Sequence, residues 1–378
     1  MAPFVFLARP TGLTRVGSPA IRQCNVVNLS AFSVFGNHTI ITRNGMPVSE
    51  DCGARRQQTR TTGRIMRKNE TWPPLPFEQA KPTWETLQLW TQIVGKVRLA
   101  LTPWQPHSWH TTLYVTARGL STSPIAADQR IFDIEFDFMA HALNIRVSDG
   151  SSRSIGLKAL SVATFYAELM GALNKLGIDV AIYDRPNEVP DPIPFAEDEV
   201  HASYEAGYAE QLWQAMQQID RVLKIFRTGF LGKSSPVHLF WGSFDLAVTR
   251  FSGRPAPLHP GGIPNLPDRV TREAYSHEVS SAGFWPGGGP TDYAAFYSYV
   301  YPVPEEFAEQ AVSPAAAFYS REAGEFILPY DAVREDDDPD ATLLEFLTST
   351  YEAAATTAKW DRSALECPIG EPRVVRPL

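Results

Sequence analysis

The sequence contains little cysteine and has no long apolar run. Its three cysteines, Cys24, Cys52 and Cys367, are too few and too scattered for a disulfide framework, which favours a reducing compartment and predicts a cytoplasmic protein. No segment approaches the roughly 18 consecutive apolar residues that a transmembrane helix requires, so we expect no membrane partner. Hydrophobic residues occupy 44% of the 378 positions, which is enough to bury a core and excludes a disordered chain.

Positive charge is scarce outside the first 65 residues. Residues 1–65 contain eight arginines against two acidic residues, a net charge of +6. Residues 66–378 contain 26 basic and 40 acidic side chains, a net charge of −14. A body this acidic repels phosphate backbones, so we expect no nucleic-acid partner.

Residues 1–65 differ from the rest in composition, and we expect them to form a poorly ordered basic extension or to precede the true start of the protein. The segment lacks the amphipathic period of a transit peptide, and its apolar run at residues 3–7 is too short for a secretory signal. Met66 directly precedes the first dense structural signal, which fits a start at that position. We expect the body to be one globular unit of two α+β halves, residues 66–200 and residues 201–378.

The first half reads as a helix, strands and a second helix. Thr83 can cap a helix whose apolar residues recur at intervals of three and four, and the period changes to two at residues 109–117. Alternating residues predict a hairpin over residues 132–147, and a helical period returns over residues 162–176. A short strand is predicted at residues 180–183.

The second half repeats this order, with its strands again grouped together. The longest helix is predicted at residues 204–227, and an aspartate followed by proline predicts a helix start at Asp338. Grouped strands favour an α+β fold with a predominantly antiparallel sheet, in two halves of similar helix–strands–helix order. Strands are predicted between these helices at residues 237–241, 246–251, 275–284 and 293–301.

Ionisable residues embedded in aromatic runs indicate a candidate site in the second half. Because a buried charge is costly unless it is paired, we expect Asp245 to face Arg250 or another cation. Imidazole and carboxylate groups titrate near neutral pH and bind metals, so the same region could supply acid–base groups or hold a divalent metal ion. The residues that we predict to be catalytic are His238, Asp245, His277 and Glu278.

Two arginines and two tryptophans of this region are predicted to bind the substrate. Arg250 and Arg254 can clamp an anion through paired hydrogen bonds, and Trp241 and Trp285 can wall an apolar pocket. The alternative is a satisfied polar network inside an aromatic core, in which the arginines are paired with nearby acids. No phosphate-loop, zinc-protease or serine-hydrolase motif fits the sequence.

Several long motifs give the chain a resemblance to a known family. Over about Trp72 to Glu366 it resembles an uncharacterised bacterial family, domain of unknown function 5996. The resemblance implies no activity, cofactor or catalytic residue. The motifs that carry it are Trp72-Pro73-Pro74-Leu75-Pro76, Tyr114-Val115-Thr116-Ala117-Arg118-Gly119-Leu120, Ser235-Pro236-Val237-His238, Phe240-Trp241-Gly242-Ser243-Phe244-Asp245-Leu246-Ala247, Arg250-Phe251-Ser252-Gly253-Arg254 and Ala274-Tyr275-Ser276-His277-Glu278.

The residues alone therefore leave three functions open. The first is a soluble enzyme, for example a hydrolase, that acts on a small anionic molecule through the histidines, carboxylates and arginines of the second half. The second is a non-catalytic protein that binds a small ligand. The third is an oligomeric interaction protein whose aromatic surface joins copies of the chain.

Overall fold

The computed structural model describes residues 71–288 and 291–376, and over these residues the protein is an α+β protein, as predicted. The predicted extension at residues 1–65 lies outside the described residues. None of the helices in the described ranges is long and apolar enough to cross a membrane. The α-helices are α1 (Phe77–Leu101), α2 (Val162–Lys175), α3 (Ala206–Thr228), α4 (Asp268–Ala274), α5 (Tyr330–Arg334), α6 (Pro339–Thr357) and α7 (Arg362–Leu365).

The first antiparallel sheet has the strand order β1-β2-β4-β5-β6, with β3 paired to β4. Its central hairpin forms where predicted, because apolar and charged residues alternate along both strands. The apolar face packs on two helices, and Phe165 of α2 stacks on Trp90 of α1 with 4.7 Å between ring centroids. The strands are β1 (Tyr114–Val115), β2 (Gly119–Ser121), β3 (Ile125–Ala127), β4 (Arg130–Asp137), β5 (Ala142–Val147) and β6 (Ser152–Gly156).

The second antiparallel sheet has the order β11-β12-β10-β9-β8-β7, and its two faces differ in chemistry. One face packs against α3 and α6. The opposite face carries tyrosines and carboxylates, including Asp245, Tyr297 and Glu325, because alternate residues along a strand share a face. The strands are β7 (His238–Phe240), β8 (Asp245–Pro255), β9 (His277–Trp285), β10 (Ala295–Tyr301), β11 (Phe318–Ser320) and β12 (Glu325–Pro329).

An isolated antiparallel bridge between Leu113, just before β1, and Leu239 of β7 joins the two sheets. Each residue donates its backbone N–H to the carbonyl of the other, at 3.0 and 2.8 Å. Both side chains are buried in the same hydrophobic core. This junction fixes the edge strands of the two sheets beside each other and places β7 next to the C-terminal half of α1.

Several predicted elements differ from those observed. Thr83 does not cap α1, which begins at Phe77 and continues through Pro82. The Thr83 hydroxyl instead accepts a hydrogen bond from the Glu205 backbone N–H. The strand predicted at residues 109–117 shrinks to β1, because residues 106–108 form a 3-10 turn. Residues 180–183 form no strand. The helix start at Asp338 is confirmed, since its carboxylate accepts from the Ala341 N–H.

Candidate functional site

A cavity of about 800 Å³ lies between α1, the loop at residues 183–188, the end of β7 and residues 265–270, which lead into α4. We call it the Lys96 cavity. Much of its wall is apolar or aromatic, as in most small-molecule sites. The described wall residues whose side chains carry basic or carboxyl groups are Lys96, Arg185, Glu188 and Arg269.

Lys96 and Leu99 of α1 form the floor of the cavity, and polar residues that precede Lys96 with helical spacing hold the neighbouring loops. Gln88, Gln92 and Lys96 are four residues apart and therefore lie above one another on the helix. The Gln88 amide donates to the Gly242 carbonyl at 2.8 Å. Gln92 donates to the Asn187 carbonyl at 2.9 Å and accepts from the Asn187 N–H at 2.8 Å. The glutamines thus dock both neighbouring loops onto the helix that carries Lys96.

Lys96 is a buried cation without a carboxylate partner in the described part of the chain. The residue is 3% exposed, and its ammonium donates a hydrogen bond to the Asn187 side-chain oxygen. The rings of Tyr183, Phe195 and Trp241 surround Nζ, with centroids at 5.2, 6.0 and 5.5 Å. Burial lowers the pKa of Lys96 to about 8, although the nearby Asp184 charge opposes the shift. The group therefore changes charge close to neutral pH.

Glu188 is the acidic group of the Lys96 cavity. Burial raises the pKa of its carboxyl to about 7, and the Asp245 charge adds to the effect. Its backbone φ of 60° lies in the left-handed region, which is unfavourable for a residue with a side chain and is found disproportionately at functional sites. The carboxylate lies directly against Gly242, where a Cβ would overlap it.

The loops that cover the cavity are tied together by two asparagines. The Asn187 amide donates to the Asn265 carbonyl at 2.5 Å, and the Asn265 amide donates to the Val189 carbonyl at 2.5 Å. The Glu188 N–H also donates to the Pro264 carbonyl at 3.2 Å. These contacts join loops that are about 75 residues apart in sequence, and they hold the backbone around Glu188 in place.

Trp241 contributes a wall of the cavity, at the position where the sequence predicted a pocket-forming tryptophan. Its indole N–H donates to the Thr111 carbonyl at 2.7 Å. The ring lies directly on Gly95 of α1, so closely that a Cβ at residue 95 would overlap it. A glycine in the middle of a helix is here required by the close approach of the indole.

Gly95→Ala should therefore destabilise the protein, although alanine favours helices. The added methyl group displaces Trp241 from the Lys96 cavity, and overpacking of this kind costs about 2 kcal/mol. Gly171→Ala in α2 is the matched control, since a Cβ at residue 171 has nothing within 4 Å; it should stabilise by about 0.5–1 kcal/mol. Urea unfolding of both variants measures the difference. Equal effects of the two substitutions would contradict the close packing of Trp241.

His238 lies behind the cavity wall, not in it. The side chain is fully buried on β7, and its ring packs at 4.7 Å from the Phe240 ring, which does line the cavity. Neither ring nitrogen has a hydrogen-bond partner in the described structure. Burial lowers the pKa of His238 to about 3, so the imidazole is neutral at physiological pH. A catalytic role for His238 stays a prediction.

Asp245 begins β8 on the polar face of the second sheet. It accepts hydrogen bonds from the Ser243 and Tyr297 hydroxyls. The predicted pairing with Arg250 is wrong, because residues five apart on a regular strand lie on opposite faces. On the same polar face, burial raises the pKa of Glu325 to about 8, with a further contribution from the Asp245 charge. Asp245 thus links this buried polar region electrostatically to Glu188.

Arg250 lies on the helix-covered face of the second sheet. Its guanidinium stacks on Phe226 with 3.5 Å to the ring centroid and on Tyr351 with 4.3 Å. It donates to the Phe226 carbonyl at 2.5 Å, close to the C-terminus of α3. Burial lowers the pKa of Arg250 to about 10. Through these contacts the Arg250 guanidinium packs β8 against α3 and α6.

Arg254 and Glu278 form an ion pair at the end of the second sheet. The guanidinium contacts the Glu278 carboxylate at 2.6 Å and also donates to the Ala358 and Lys359 carbonyls at 2.6 and 3.1 Å. Those carbonyls follow the last turn of α6, where a cation is favourable. The pair fastens β8 and β9 to that helix end, and neither residue is among the described residues that line the Lys96 cavity.

His277 and Trp285 lie at opposite ends of β9, outside the described lining of the cavity. The His277 ring centroid is 6.3 Å from that of His107. His107 accepts a hydrogen bond from the Lys233 ammonium at 2.6 Å, and burial lowers its pKa to about 4. Within the described ranges, no group of three or more histidine, cysteine, aspartate or glutamate residues is arranged to hold a metal ion.

Of the eight predicted site residues, Trp241 is among the described residues that line the Lys96 cavity. Trp241 forms part of the wall, and Asp245 acts on the charge of Glu188. The signal that could have revealed Lys96 is the recurrence of Gln88, Gln92 and Lys96 at intervals of four along α1. Glu188 carried no such signal, because its proline-rich surroundings resemble an ordinary loop.

A profile described as a family of unknown function (DUF5996) matches residues 72–367, in agreement with the resemblance seen in the sequence. No curated protein and no solved structure matches the chain.

Proposed function

Because the chain belongs to the DUF5996 family, for which no function is known, we propose from the geometry alone that it is an enzyme acting on a small organic anion in the Lys96 cavity. The observation that carries the proposal is Lys96 itself. A buried ammonium without a carboxylate partner is costly, and an anionic ligand would offset that cost. We place this activity in the cytoplasm, as the few scattered cysteines suggest.

The charges around the cavity favour an anion. Among the described residues that line it, Lys96, Arg185 and Arg269 are cationic and Glu188 carries a carboxyl group. Both arginines are exposed, whereas Lys96 is buried at the floor. An anionic ligand can thus contact the exposed guanidinium groups first and bind the Lys96 ammonium after the ligand has lost its hydration water.

The wall of the cavity adds a preference for an apolar body. Trp104 and Tyr183 line the cavity and are 52% and 66% exposed, so their rings can cover a ligand from the side of the solvent. Leu99, Phe240 and Trp241 line the inner part. The ligand class that fits these surfaces is a carboxylate or phosphate on a small aromatic or aliphatic group.

Glu188 supports catalysis beyond binding. A carboxyl whose pKa lies near 7 can both donate and accept a proton at physiological pH, and Lys96 has a complementary pKa of about 8. Two groups of opposite charge type that titrate near neutrality in one cavity are typical of acid–base enzymes.

The proposal is tested with a library of small carboxylic and phosphoric acids. We expect some of them to raise the melting temperature of the wild type and to be chemically altered by it, as followed by NMR. Glu188→Gln should bind the same compounds and leave them unaltered, while Arg153→Ala on β6 serves as a distant control. Compounds that bind without being altered would instead support a non-catalytic binding protein. An unchanged melting temperature with every compound would refute the site.

Affinity for such anions should fall as the pH rises through about 7 to 8. Over this interval Glu188 loses a proton and becomes negative, and Lys96 loses its positive charge. Each change disfavours an anion, so we expect a loss of about tenfold or more between pH 6.5 and pH 9. Titration calorimetry with the best library compound measures the loss. A constant affinity over this range would mean that the two groups do not contact the ligand.

A further inference from the structure

We propose that Lys96 forms a covalent imine with the carbonyl group of an aldehyde or 2-oxo acid bound in the Lys96 cavity. This inference rests on the proposed function and narrows its substrate to organic anions that carry a carbonyl group. It follows from the position of the amine, its surroundings and the neighbouring carboxyl.

The position of Nζ suits attack on a ligand. Lys96 projects from the floor of an 800 Å³ cavity, and its ammonium is held by one hydrogen bond to the Asn187 amide oxygen. No carboxylate within the described residues forms an ion pair with it. A lysine that is held by an amide and not by an acid can lose its proton and present a nucleophilic lone pair.

The surroundings of Lys96 favour the neutral amine and the product. Three aromatic rings lie within about 6 Å of Nζ and exclude water from the amine. Excluding water favours condensation, since water is a product of imine formation. The same rings can stabilise the cationic imine through cation–π attraction, so the charge lost on deprotonation is recovered after the reaction.

The reaction balances with groups that line the cavity. The amine lone pair forms a C–N bond as the carbonyl π bond breaks, and the carbonyl oxygen takes the proton that the nitrogen loses. The C–O bond of this carbinolamine then breaks, and the Glu188 carboxyl donates its proton to the departing hydroxyl, which leaves as water. The products are a cationic imine on Lys96 and the carboxylate of Glu188. The exposed Arg185 and Arg269 are placed to hold the acid group of the ligand.

The test is reductive trapping of full-length protein with 4-carboxybenzaldehyde and cyanoborohydride at pH 7. We expect one carboxybenzyl group per chain, located on Lys96 by peptide mapping, which separates it from the α-amino group and the seven other lysines. The neutral fraction of Lys96 at this pH should exceed that of an ordinary lysine by about 300-fold. Labelling should disappear in Lys96→Met and slow by about tenfold or more in Glu188→Gln.

Lys233→Met is the matched control. Partial desolvation also lowers the pKa of Lys233, but the residue is exposed overall and is not among the described residues that line the cavity. This variant should be trapped on Lys96 as fast as the wild type. Labelling spread over many lysines, or retained in Lys96→Met, would overturn the proposal. Binding of 4-methylbenzoate, which has no carbonyl group, separates the two hypotheses. If it stabilises the wild type while trapping fails, anion binding stands and the imine falls; if both fail, both proposals fall.

Discussion

Replacing Lys96 with methionine should make the ligand-free protein more stable and at the same time remove its affinity for organic anions. The wild type carries a buried ammonium whose pKa is lowered to about 8, which corresponds to a penalty of about 3 kcal/mol at pH 7. Methionine keeps the length of the side chain and packs well against aromatic rings. Losing the hydrogen bond to Asn187 costs about 1 kcal/mol, so the expected net gain is about 2 kcal/mol.

The pH dependence of this gain identifies its origin. The folded-state pKa of Lys96 lies below that of the unfolded chain, so the wild type becomes more stable as the pH rises from about 8 to 10, where the unfolded state holds more protons. The advantage of Lys96→Met should therefore be complete below pH 8 and vanish towards pH 10. Guanidinium unfolding at several pH values measures it, with Lys81→Met on the exposed side of α1 as the control. A loss of stability in Lys96→Met would show that the lysine is a structural element.

Affinity is the second readout for Lys96→Met. Removing a desolvated cation that contacts a ligand anion costs about 2–3 kcal/mol, or roughly 100-fold in the dissociation constant. A variant that is more stable than the wild type yet binds no anion cannot have lost binding through misfolding. The opposite directions of the two effects make this the sharpest single test of the cavity.

Arg250→Ala should have the largest effect on stability among the variants considered. The guanidinium fills a buried space between Phe226 and Tyr351, so truncation leaves a cavity and removes the hydrogen bond to the Phe226 carbonyl. Losses of this kind amount to about 3 kcal/mol. Arg250→Met preserves most of the volume and removes the buried charge, so it should cost only about 1 kcal/mol.

Urea unfolding of both variants measures the contribution of Arg250, with the exposed Arg153→Ala as a control that should change stability by less than about 0.5 kcal/mol. We also expect anion affinity to be unchanged in Arg250→Met, because the residue faces α3 and α6. Loss of affinity at wild-type stability would instead restore Arg250 to the predicted substrate site. This variant therefore distinguishes the site predicted from the sequence from the Lys96 cavity.

Hydrophobic periodicity predicted the elements that are long and regular. The hairpin of β4 and β5 and the helix start at Asp338 follow from local rules, alternation in one case and a side-chain cap in the other. The prediction that Thr83 caps a helix was wrong because α1 starts seven residues earlier and continues through Pro82, so that Thr83 is buried inside it. The local sequence contains both possibilities, and tertiary packing decides between them.

The candidate site was harder to predict because it depends on contacts between distant segments. Lys96, Glu188 and Trp241 come from a helix, a loop and the end of a strand, which the hydrogen bonds of Gln88 and Gln92 join. The dense run of polar and aromatic residues around β8 suggested that one segment contains the site. Instead, strand alternation sends Asp245 and Arg250 to opposite faces, and only residues near the start of that run reach the cavity.

The asparagine contacts that join the two covering loops have a consequence for any measurement on this protein. Amide groups neither ionise nor depend on salt, so the roof formed through Asn187 and Asn265 should keep its strength from acidic to alkaline buffers. A change of ligand affinity with pH can then be assigned to the titration of Lys96 and Glu188, including its effect on the hydrogen bond from Lys96 to Asn187. The loops over a ligand are thus joined by amide hydrogen bonds, whereas the groups that respond to its charge are Lys96 and Glu188.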